Sequence, residues 1–411
     1  MGHISVMEAL RLLDSVRTPI RDYEQVPITQ SLGRTLAQEI RARMDAPPFH
    51  RAAMDGYAVR SQETPGTLIV AGQINAGDVF TGPIPPGHAV RIMTGAPVPP
   101  ELDTVIEQEA VIRQDSRIEM AKAVPSGRNI SQRGSEITSG SMVLSPGQYL
   151  GALETGILAL SGYDTVYVYR KPRILLITTG DELQNPGEEL RPAHIYNVNH
   201  YLFTGLLNEA GAHVVQLPEA RDSRQSIEQA FSELSPYDLV ISTGGVSVGD
   251  KDQVIQYLRE HTRLLFWRID MHPGKAMAAA TKNNVPILAL SGNPGAALTS
   301  WFLVVLPYLA SLFGARLPVR QFSGRLRHPF GKPTRETRYL RARIVVENGE
   351  AFLDARLPQG SDIITPYRQA DAFAVIPQGS PRLPEYTMLN ALVIPGLGPE
   401  RLHWEPNEQS R

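Results

Sequence analysis

A regular alternation of strand-like and helix-like segments over residues 171–317 constrains the fold of this chain most strongly. Five short apolar runs are typical of buried strands: Arg173–Thr178, His213–Leu217, Asp238–Ser242, Leu264–Ile269 and Pro286–Leu290. Helical patterns lie between them, starting near Asn199, at Asp222–Leu234 and at Ala296–Phe313. This alternation predicts a doubly wound, mostly parallel sheet, which binds ligands beyond the carboxyl ends of its strands.

The segments on either side of this region have β-type patterns. Residues 45–145 contain short strand-like runs, among them Gly66–Ala71 and Thr104–Gln108, separated by Gly and Pro clusters. After residue 318, Arg338–Val346, Ala372–Pro377 and Met388–Ile394 are further strand-like runs. We therefore predict a β-rich domain before the α/β domain and a small β domain after it.

The N-terminal segment is predicted to form a helix that packs on the α/β domain. Ser5 and Glu8 have the spacing of a capping box, and an apolar stripe at helical spacing follows from Ile4 through Met7 and Leu10 to Leu13. Such a stripe is typical of a packing helix.

Composition excludes several classes of function. The net charge of −2 argues against a nucleic-acid-binding surface, which requires clustered cations. The chain has no cysteine, which removes thiolate metal sites and cysteine nucleophiles and is typical of a cytoplasmic protein. We find no signal peptide and no apolar run of about 18 residues, so no membrane span is expected.

Two glycine- and acid-containing loops follow predicted strands. Ser242–Asp252 contains consecutive glycines that leave backbone N–H groups accessible, hydroxyls at Thr243 and Ser247, and acids at Asp250 and Asp252. Thr179–Glu182 places two acids at the end of the first strand. The alternative interpretation of both loops is a tight strand-to-helix turn with incidental acids.

Two further loops offer groups that bind anions. His272–Lys275 places a lysine on a Pro-Gly turn, and Ser291–Pro294 presents backbone N–H groups at a helix N-terminus. A solvated lysine and a plain helix cap are the respective alternatives. In the β-rich region, Asp55 precedes a glycine, so that a hairpin turn competes with a functional role. Acids without thiols suit Mg²⁺ and phosphate-containing substrates, so the residues alone predict a phosphate- or nucleotide-binding α/β enzyme.

Taken in order, five motifs resemble those of the molybdopterin molybdenumtransferases, which include the E domain of gephyrin. The motifs are Ala53–Ala58, Arg91–Ala96, Thr179–Leu183, Ser242–Asp250 and Pro273–Lys275. The resemblance covers nearly the whole chain.

This resemblance implies a multidomain α/β protein with an inserted β-rich domain and a C-terminal β-barrel-like domain. The expected regions are an N-terminal helix in 1–20, a linker and dimerisation domain in 21–44 and 146–170, the β-rich domain in 45–145, the α/β molybdopterin-binding domain in 171–317 and the C-terminal β domain in 318–411. An elongated homodimer would bind adenylylated molybdopterin and molybdate in a cleft between subunits, insert the metal and release AMP with the help of Mg²⁺. Docking of a molybdopterin adenylyltransferase is a further hypothesis.

The resemblance also assigns site residues by matching positions. The catalytic candidates are Asp55, Glu136, Glu182, Asp222, Asp252 and Lys275, of which Glu182, Asp222 and Asp252 are also the metal candidates. The substrate-binding candidates are Thr94, Thr243, Gly244, Gly245, Ser247, Gly249, Arg268, His272, Gly292, Asn293, Pro294, Arg341 and Ser361. Asp55 and Glu136 are expected to reach the cleft of the partner subunit.

Several positions depart from the family pattern. Glu136 replaces an Asp, Arg268 and His272 replace lysines, and Ser291 replaces a proline. Two alternatives to standard metal insertion follow. One is a paralogue with another oxyanion, such as tungstate, or another pterin nucleotide; the other is a non-catalytic pterin-binding scaffold.

Overall fold

The computed structural model describes residues 3–217, 220–247, 252–315 and 320–394, and the chain divides into two compact units. One unit comprises Gln25–Leu32 and Leu36–Val168; the other comprises Met1–Glu24, Gly33–Thr35 and Tyr169–Arg411. They are called the β unit and the α/β unit below.

The β unit is built around a six-stranded sheet. In spatial order its strands are Thr104–Glu107, Gly56–Val59, His88–Ile92, Gly66–Ile74, Arg117–Met120 and Ile112–Gln114. Alternation along the strands sends Ala58 and Val90 into one apolar cluster, while Tyr57 and Ala89 enter another. Both faces of the sheet are therefore covered, in agreement with the predicted β-rich character of this region.

Smaller elements complete this part of the chain. Two-stranded pairs join Ile40–Arg41 to Met142–Leu144, Arg51–Ala52 to Ile130–Ser131, and Tyr23–Pro27 to Thr165–Tyr169. One helix spans Ala152–Leu160, and single 3₁₀ turns span Ile28–Gln30, Ser61–Glu63 and Gln108–Ala110.

The α/β unit contains a second six-stranded sheet. Its strands, labelled along the chain, are β1 (Arg173–Thr178), β2 (His213–Gln216), β3 (Leu239–Thr243), β4 (Arg263–Trp267), β5 (Ala278–Lys282) and β6 (Val285–Leu290). Their order is β2-β1-β3-β6-β5-β4. The first four are parallel, and β5 runs antiparallel to both β6 and β4. The predicted multidomain α/β class with a mostly parallel sheet is confirmed.

The structure corrects the sequence interpretation at one edge of this sheet. Strand β5 was not predicted, because its Ala-Ala-Ala-Thr-Lys sequence lacks the bulky β-branched residues typical of strands. As a result the run at β4 lies at the edge and pairs only with the antiparallel β5, although it keeps the direction of the four parallel strands.

Helices cover both faces of the sheet. They are Val6–Asp14, Val198–Glu209, Arg224–Ala230, Gln253–His261, Pro294–Ser300 and Leu306–Leu312, with a π-helical turn at Trp301–Val305 between the last two. The two faces of β1 bury different clusters: Ile174 and Leu176 enter one, Leu175 and Ile177 the other. A pair of two-residue strands, Leu183–Gln184 and Ile195–Tyr196, lies beyond the sheet.

Two helix predictions need adjustment. At the N-terminus, Ser5 Oγ accepts from the Glu8 N–H at 3.1 Å as expected, but Met7 is 63% exposed and Ala9 is buried in its place. The helix predicted over residues 222–234 is shorter, because Ser223 caps its start and accepts from the Ser226 N–H at 3.3 Å.

One helical stretch of the described residues, Pro294–Leu312, is long and apolar enough to cross a membrane. The expectation that no such run exists was therefore wrong as a statement about the sequence. Most of this stretch is buried inside the protein, where Trp301 and its neighbours belong to the main core cluster, so burial accounts for its apolar character.

The C-terminal part of the α/β unit is a closed five-stranded barrel, which confirms the predicted barrel-like domain. Its strands, in chain order, are Gln321–Leu326, Arg338–Glu347, Glu350–Asp354, Ala372–Ile376 and Met388–Val393. The first was not predicted, and a 3₁₀ turn, Thr365–Arg368, precedes the fourth.

Candidate functional site

A cavity of about 620 Å³ opens at the carboxyl ends of the parallel strands. Loops after β1, β3 and β6 form its walls, together with the start of helix Val198–Glu209 and one residue of the barrel, Asp362. Its lining residues include Thr179, Glu182, Asn199, Asp222, Gly244, Gly245, Ser247, Asp252, Asn293 and Asp362. The cavity thus lies where a doubly wound sheet binds its ligands.

The loop after β3 gives the cavity a wall that contains two glycines. Gly244 and Gly245 have φ values of +101° and +64°, a region that disfavours residues with a side chain. A Cβ on Gly244 would lie 2.5 Å from Thr179 Oγ1, so the two loops touch backbone to side chain. Ser247 lines the cavity, whereas Thr243 is buried in the sheet, where its carbonyl accepts from the Thr179 N–H at 3.0 Å. Gly249, also predicted to bind substrate, lies outside the described residues.

The predicted acids Glu182, Asp222 and Asp252 all line the cavity. Burial raises the pKa of Asp222, and the negative charges of Asp181, Glu182 and Asp252 raise it further. The Asp222 N–H donates to Asp181 Oδ1 at 3.2 Å, while Asp222 Oδ1 is buried without a hydrogen-bond partner among the described residues. Negative charge is therefore concentrated around Asp222.

Within the described ranges, no three His, Asp or Glu side chains are grouped closely enough to hold a metal ion by themselves. The three acids therefore do not form a preassembled metal centre. Their chemistry nevertheless suits Mg²⁺, because the cation prefers oxygen ligands and would pair with the unpartnered oxygen of Asp222.

The third wall is the turn that begins helix Pro294–Ser300. Gly292, Asn293 and Pro294 line the cavity as predicted positions, and Asn293 Nδ2 donates to Ser361 Oγ at 3.3 Å. Asn199, which was not predicted, donates through Nδ2 to the Gly292 carbonyl at 2.8 Å. Its Oδ1 is buried without a partner, so this side chain offers a free acceptor at the cavity.

Lys275 has an acidic partner that the sequence did not indicate. Its Nζ lies 2.5 Å from Glu336 Oε1, and this ion pair lowers the pKa of Glu336. Lys275 itself is not among the lining residues, but the next residue, Ala276, is. Burial lowers the pKa of His272, and the nearby charge of Arg338 lowers it further.

Two predicted cations take supporting positions instead of lining the cavity. The guanidinium of Arg268 lies 4.5 Å from the ring centroid of Trp267, whose Nε1 donates to the Val246 carbonyl at 3.1 Å. Arg341 is fully buried, donates through Nη2 to the Gly360 carbonyl at 2.9 Å and packs over Tyr367. The positive charge of Arg341 opposes the rise that burial causes in the pKa of Tyr367.

The remaining candidates belong to the β unit. Asp55 Oδ1 accepts from both the N–H and the hydroxyl of Thr94, at 2.7 and 2.6 Å. These two bonds lower the pKa of Asp55, which stays ionised and exposed. Glu136 is exposed, and its N–H donates to the Ala46 carbonyl at 3.0 Å.

Family models match three consecutive parts of the chain. Residues 4–162 match the MoeA N-terminal region (domains I and II), residues 175–311 a probable molybdopterin binding domain, and residues 323–385 the MoeA C-terminal region (domain IV).

Relatives named molybdopterin molybdenumtransferase are similar over most of the chain. The one from Staphylococcus epidermidis is 34% identical over 350 residues, covering 83% of each chain. The one from Haemophilus influenzae is 34% identical and covers 74% of this chain and 76% of its own. The crystal structure of a molybdopterin biosynthesis MoeA protein from Pyrococcus horikoshii superimposes with a TM-score of 0.77 at 27% identity, covering 95% of this chain and all of the other.

The cavity, its glycine-rich and acidic loops and these similarities agree with the resemblance seen in the motifs. The chain belongs to the molybdopterin molybdenumtransferase family, enzymes of molybdenum cofactor biosynthesis.

Proposed function

We propose that this protein inserts molybdenum from molybdate into adenylylated molybdopterin and releases AMP, using the cavity at the carboxyl ends of β1, β3 and β6. The observation that carries the proposal is the pairing of a glycine-lined wall with a cluster of acids. The backbone N–H of Gly245 suits a phosphate oxygen, whereas the Gly244 N–H donates to the Leu290 carbonyl at 3.1 Å and holds the loop against β6. Asp222 and Asp252 suit a cation bound to the phosphate.

Mg²⁺ would be held by Glu182, Asp222 and Asp252. When bound, it would neutralise charge on the phosphates. The chain's own residues would do the rest: Asn199 and Asn293 would orient polar groups of the substrate, and Ser247 would donate its hydroxyl.

Lys275 and Arg341 are proposed to attract the oxyanion. Arg341 would act from behind the cavity wall, because its guanidinium is fully buried and its Nη2 holds the Gly360 carbonyl at 2.9 Å. Ser361 lies next to this region, bonded to Asn293, and its carbonyl accepts from the Ala296 N–H at 2.8 Å.

We propose a homodimer, supported by exposed apolar side chains in the β unit. Helix Ala152–Leu160 is apolar on most sides, yet Leu158 is its one fully buried residue and Leu153 is 72% exposed. Leu32 and Tyr149 are also exposed. A partner subunit would cover this surface, since contiguous exposed apolar patches mark interaction sites. Leu153→Glu should produce monomers in size-exclusion chromatography with light scattering, whereas Glu154→Gln should leave the dimer intact.

Asp55 and Glu136 are proposed to act in the cleft of the partner subunit. Complementation tests this: Asp55→Ala and Asp252→Ala would each be inactive alone, but mixed dimers would regain activity in one of their two sites. If the mixed dimers stay inactive, the shared site is wrong.

The direct assay follows AMP release and metal incorporation together, with purified protein, adenylylated molybdopterin, Mg²⁺ and molybdate. Coupled products that disappear in Asp252→Ala would establish the reaction. Tight pterin binding without either product would favour the scaffold alternative. Cytoplasmic location and docking of an adenylyltransferase remain parts of the same proposal.

A preference for another oxyanion is a second candidate, favoured by His272. Burial and Arg338 keep this imidazole neutral near pH 7, so the region carries less positive charge than a lysine would supply. Competition between molybdate and tungstate, compared in the protein and in His272→Lys, would measure the effect; ordinary molybdate preference in both would exclude it.

A further inference from the structure

We infer that Glu336 is a positioning residue that sets how much positive charge Lys275 offers to the incoming oxyanion. The inference rests on the proposed function, because it assumes that Lys275 attracts the oxyanion. It concerns an acid that comes from the barrel side of the site and that the motifs did not identify.

The ion pair is fixed by the backbone around it. The segment that leads to Lys275 is bonded to the segment that carries Glu336 through both main chain and side chain. The His272 N–H donates to the Thr337 carbonyl at 2.8 Å, and the Tyr339 N–H donates to the His272 carbonyl at 3.0 Å. Asp270 accepts from the N–H and hydroxyl of Thr337, at 3.1 and 2.8 Å. Glu336 is therefore held opposite Lys275 by four hydrogen bonds in which neither side chain takes part.

The backbone of Lys275 is equally constrained. Gly274 has a φ of +110°, and a Cβ there would lie 2.7 Å from Met271 Cε and 3.3 Å from the Ala296 carbonyl oxygen. The Lys275 carbonyl accepts from the N–H groups of Ile269 and Met277, at 3.2 and 3.0 Å. The backbone position from which the Lys275 side chain extends is thus fixed, close to the helix that begins at Pro294.

The surroundings of the pair are mostly cationic. Arg338, Lys332 and Lys275 all act on His272, and Glu336 is the carboxylate that opposes them there. Lys275 and Glu336 side chains are 37% and 22% exposed, so water screens the pair only in part. A divalent oxyanion that approaches Lys275 must either share the ammonium with Glu336 or displace it, and it is repelled by the carboxylate in both cases.

Glu336 therefore weakens oxyanion binding and speeds oxyanion release, without touching the substrate. Such a residue prevents the site from being saturated by abundant competing oxyanions, because binding at Lys275 alone is not enough to hold them. Its removal should change the affinity for the oxyanion and leave the chemical step unchanged.

The test compares Glu336→Gln, Glu336→Asp, Lys275→Ala and the double variant, all in the full-length protein. Binding of molybdate alone is measured by equilibrium dialysis, and KM and kcat for molybdate are measured in the AMP-release assay. Glu350→Gln is the matched control, since it removes a carboxylate that is paired with Arg325 elsewhere on the barrel.

Glu336→Gln should tighten molybdate binding and lower KM by about threefold or more, the size expected for a partly exposed ion pair, with kcat unchanged. Glu336→Asp should restore the original affinity, and the effect of Glu336→Gln should vanish in the Lys275→Ala background. The inference would be overturned if Glu336→Gln lowered kcat at unchanged KM, or if it had an equal effect in the Lys275→Ala background. It would also be overturned if no variant bound molybdate detectably. Failure of AMP release alone would refute the proposed reaction, but the dialysis experiment would still decide the role of Glu336.

Discussion

The substitution Gly244→Ala, which adds a single methyl group, tests the backbone geometry of the loop that follows β3. Its φ of +101° is unfavourable for any residue with a Cβ, and the added carbon would lie 2.5 Å from Thr179 Oγ1 and 2.6 Å from the Thr179 carbonyl oxygen. Left-handed backbone costs about 1–2 kcal/mol per residue and overpacking about 1–3 kcal/mol, from which the stiffer unfolded chain recovers about 0.5–1 kcal/mol. Gly244→Ala should therefore lower the free energy of unfolding of the α/β unit by about 1–4.5 kcal/mol.

The matched control is Gly205→Ala. Gly205 lies in helix Val198–Glu209 of the same unit, and its Cβ would meet no atom within 4 Å. An alanine there should stabilise the unit by about 0.5–1 kcal/mol, because it favours the helix.

Tryptophan fluorescence during thermal or urea unfolding measures both variants. Trp267 and Trp301 lie in the α/β unit, and the sequence of the β unit contains no tryptophan, so the signal does not report on the β unit. A midpoint for Gly244→Ala equal to that of the unsubstituted protein would refute the argument from positive φ and close contact. A lower midpoint for Gly205→Ala would contradict the open space around Gly205 in its helix.

Three further predictions concern charge and packing. Asp222→Asn should raise the thermal midpoint while abolishing AMP release, because burial and the neighbouring acids raise the pKa of this carboxyl and make its ionised form destabilising at pH 7; a lower midpoint would contradict this. Hydrogen bonds from Arg356 hold the pKa of Asp354 at about 2, below its ordinary 3.8, so the stabilisation exists above pH 3.8 and is lost as pH falls toward 2. Asp354→Asn should accordingly lower the free energy of unfolding by about 1 kcal/mol at pH 7. In circular-dichroism melts its thermal midpoint should fall less steeply between pH 3.8 and pH 2 than that of the unsubstituted protein. An equally steep fall would contradict a stabilising Asp354–Arg356 pair. Trp301→Ala should cost about 3–5 kcal/mol by leaving a void in the main core, read out by urea unfolding; less than about 1 kcal/mol would mean that the core collapses around it.

Local patterns were sufficient for the elements that carry the cavity. Strand β1 was predicted with its observed ends, because its residues are continuously apolar and its loop begins with Thr179 and Gly180. The run at Ala278–Lys282 was missed because three alanines do not indicate a strand until β6 and β4 pair with them. Tertiary pairing, not local preference, makes this segment a strand.

Some site residues are likewise indicated by local sequence patterns, and others are placed by long-range contacts. Glu182 and Asp252 lie in loops that follow buried strands and converge at one edge of a parallel sheet, whereas Asp222 was assigned only by matching the family's positions. Asp362 and Glu336 could not be found, since they come from the barrel, 70 and 61 positions away from Gly292 and Lys275 along the sequence. Their placement depends on long-range contacts such as the pairing of Thr337 with Asp270, which no local motif encodes.

The π-helical turn at Trp301–Val305 sets the rotation of the second half of its helix relative to the first half. Before the turn, the Ala296 N–H donates to the Ser361 carbonyl, and the Gly295 carbonyl accepts from the Tyr367 hydroxyl at 2.8 Å. After it, the Leu312 carbonyl accepts from the Ile20 N–H at 2.8 Å. Because each residue turns a helix by roughly 100°, the extra residue in the turn decides whether the second half faces the N-terminal segment. Deleting one residue here would leave the helix equally apolar but would rotate its far end away from the residues that it contacts. The number of residues in this turn is therefore constrained, as well as their apolar character.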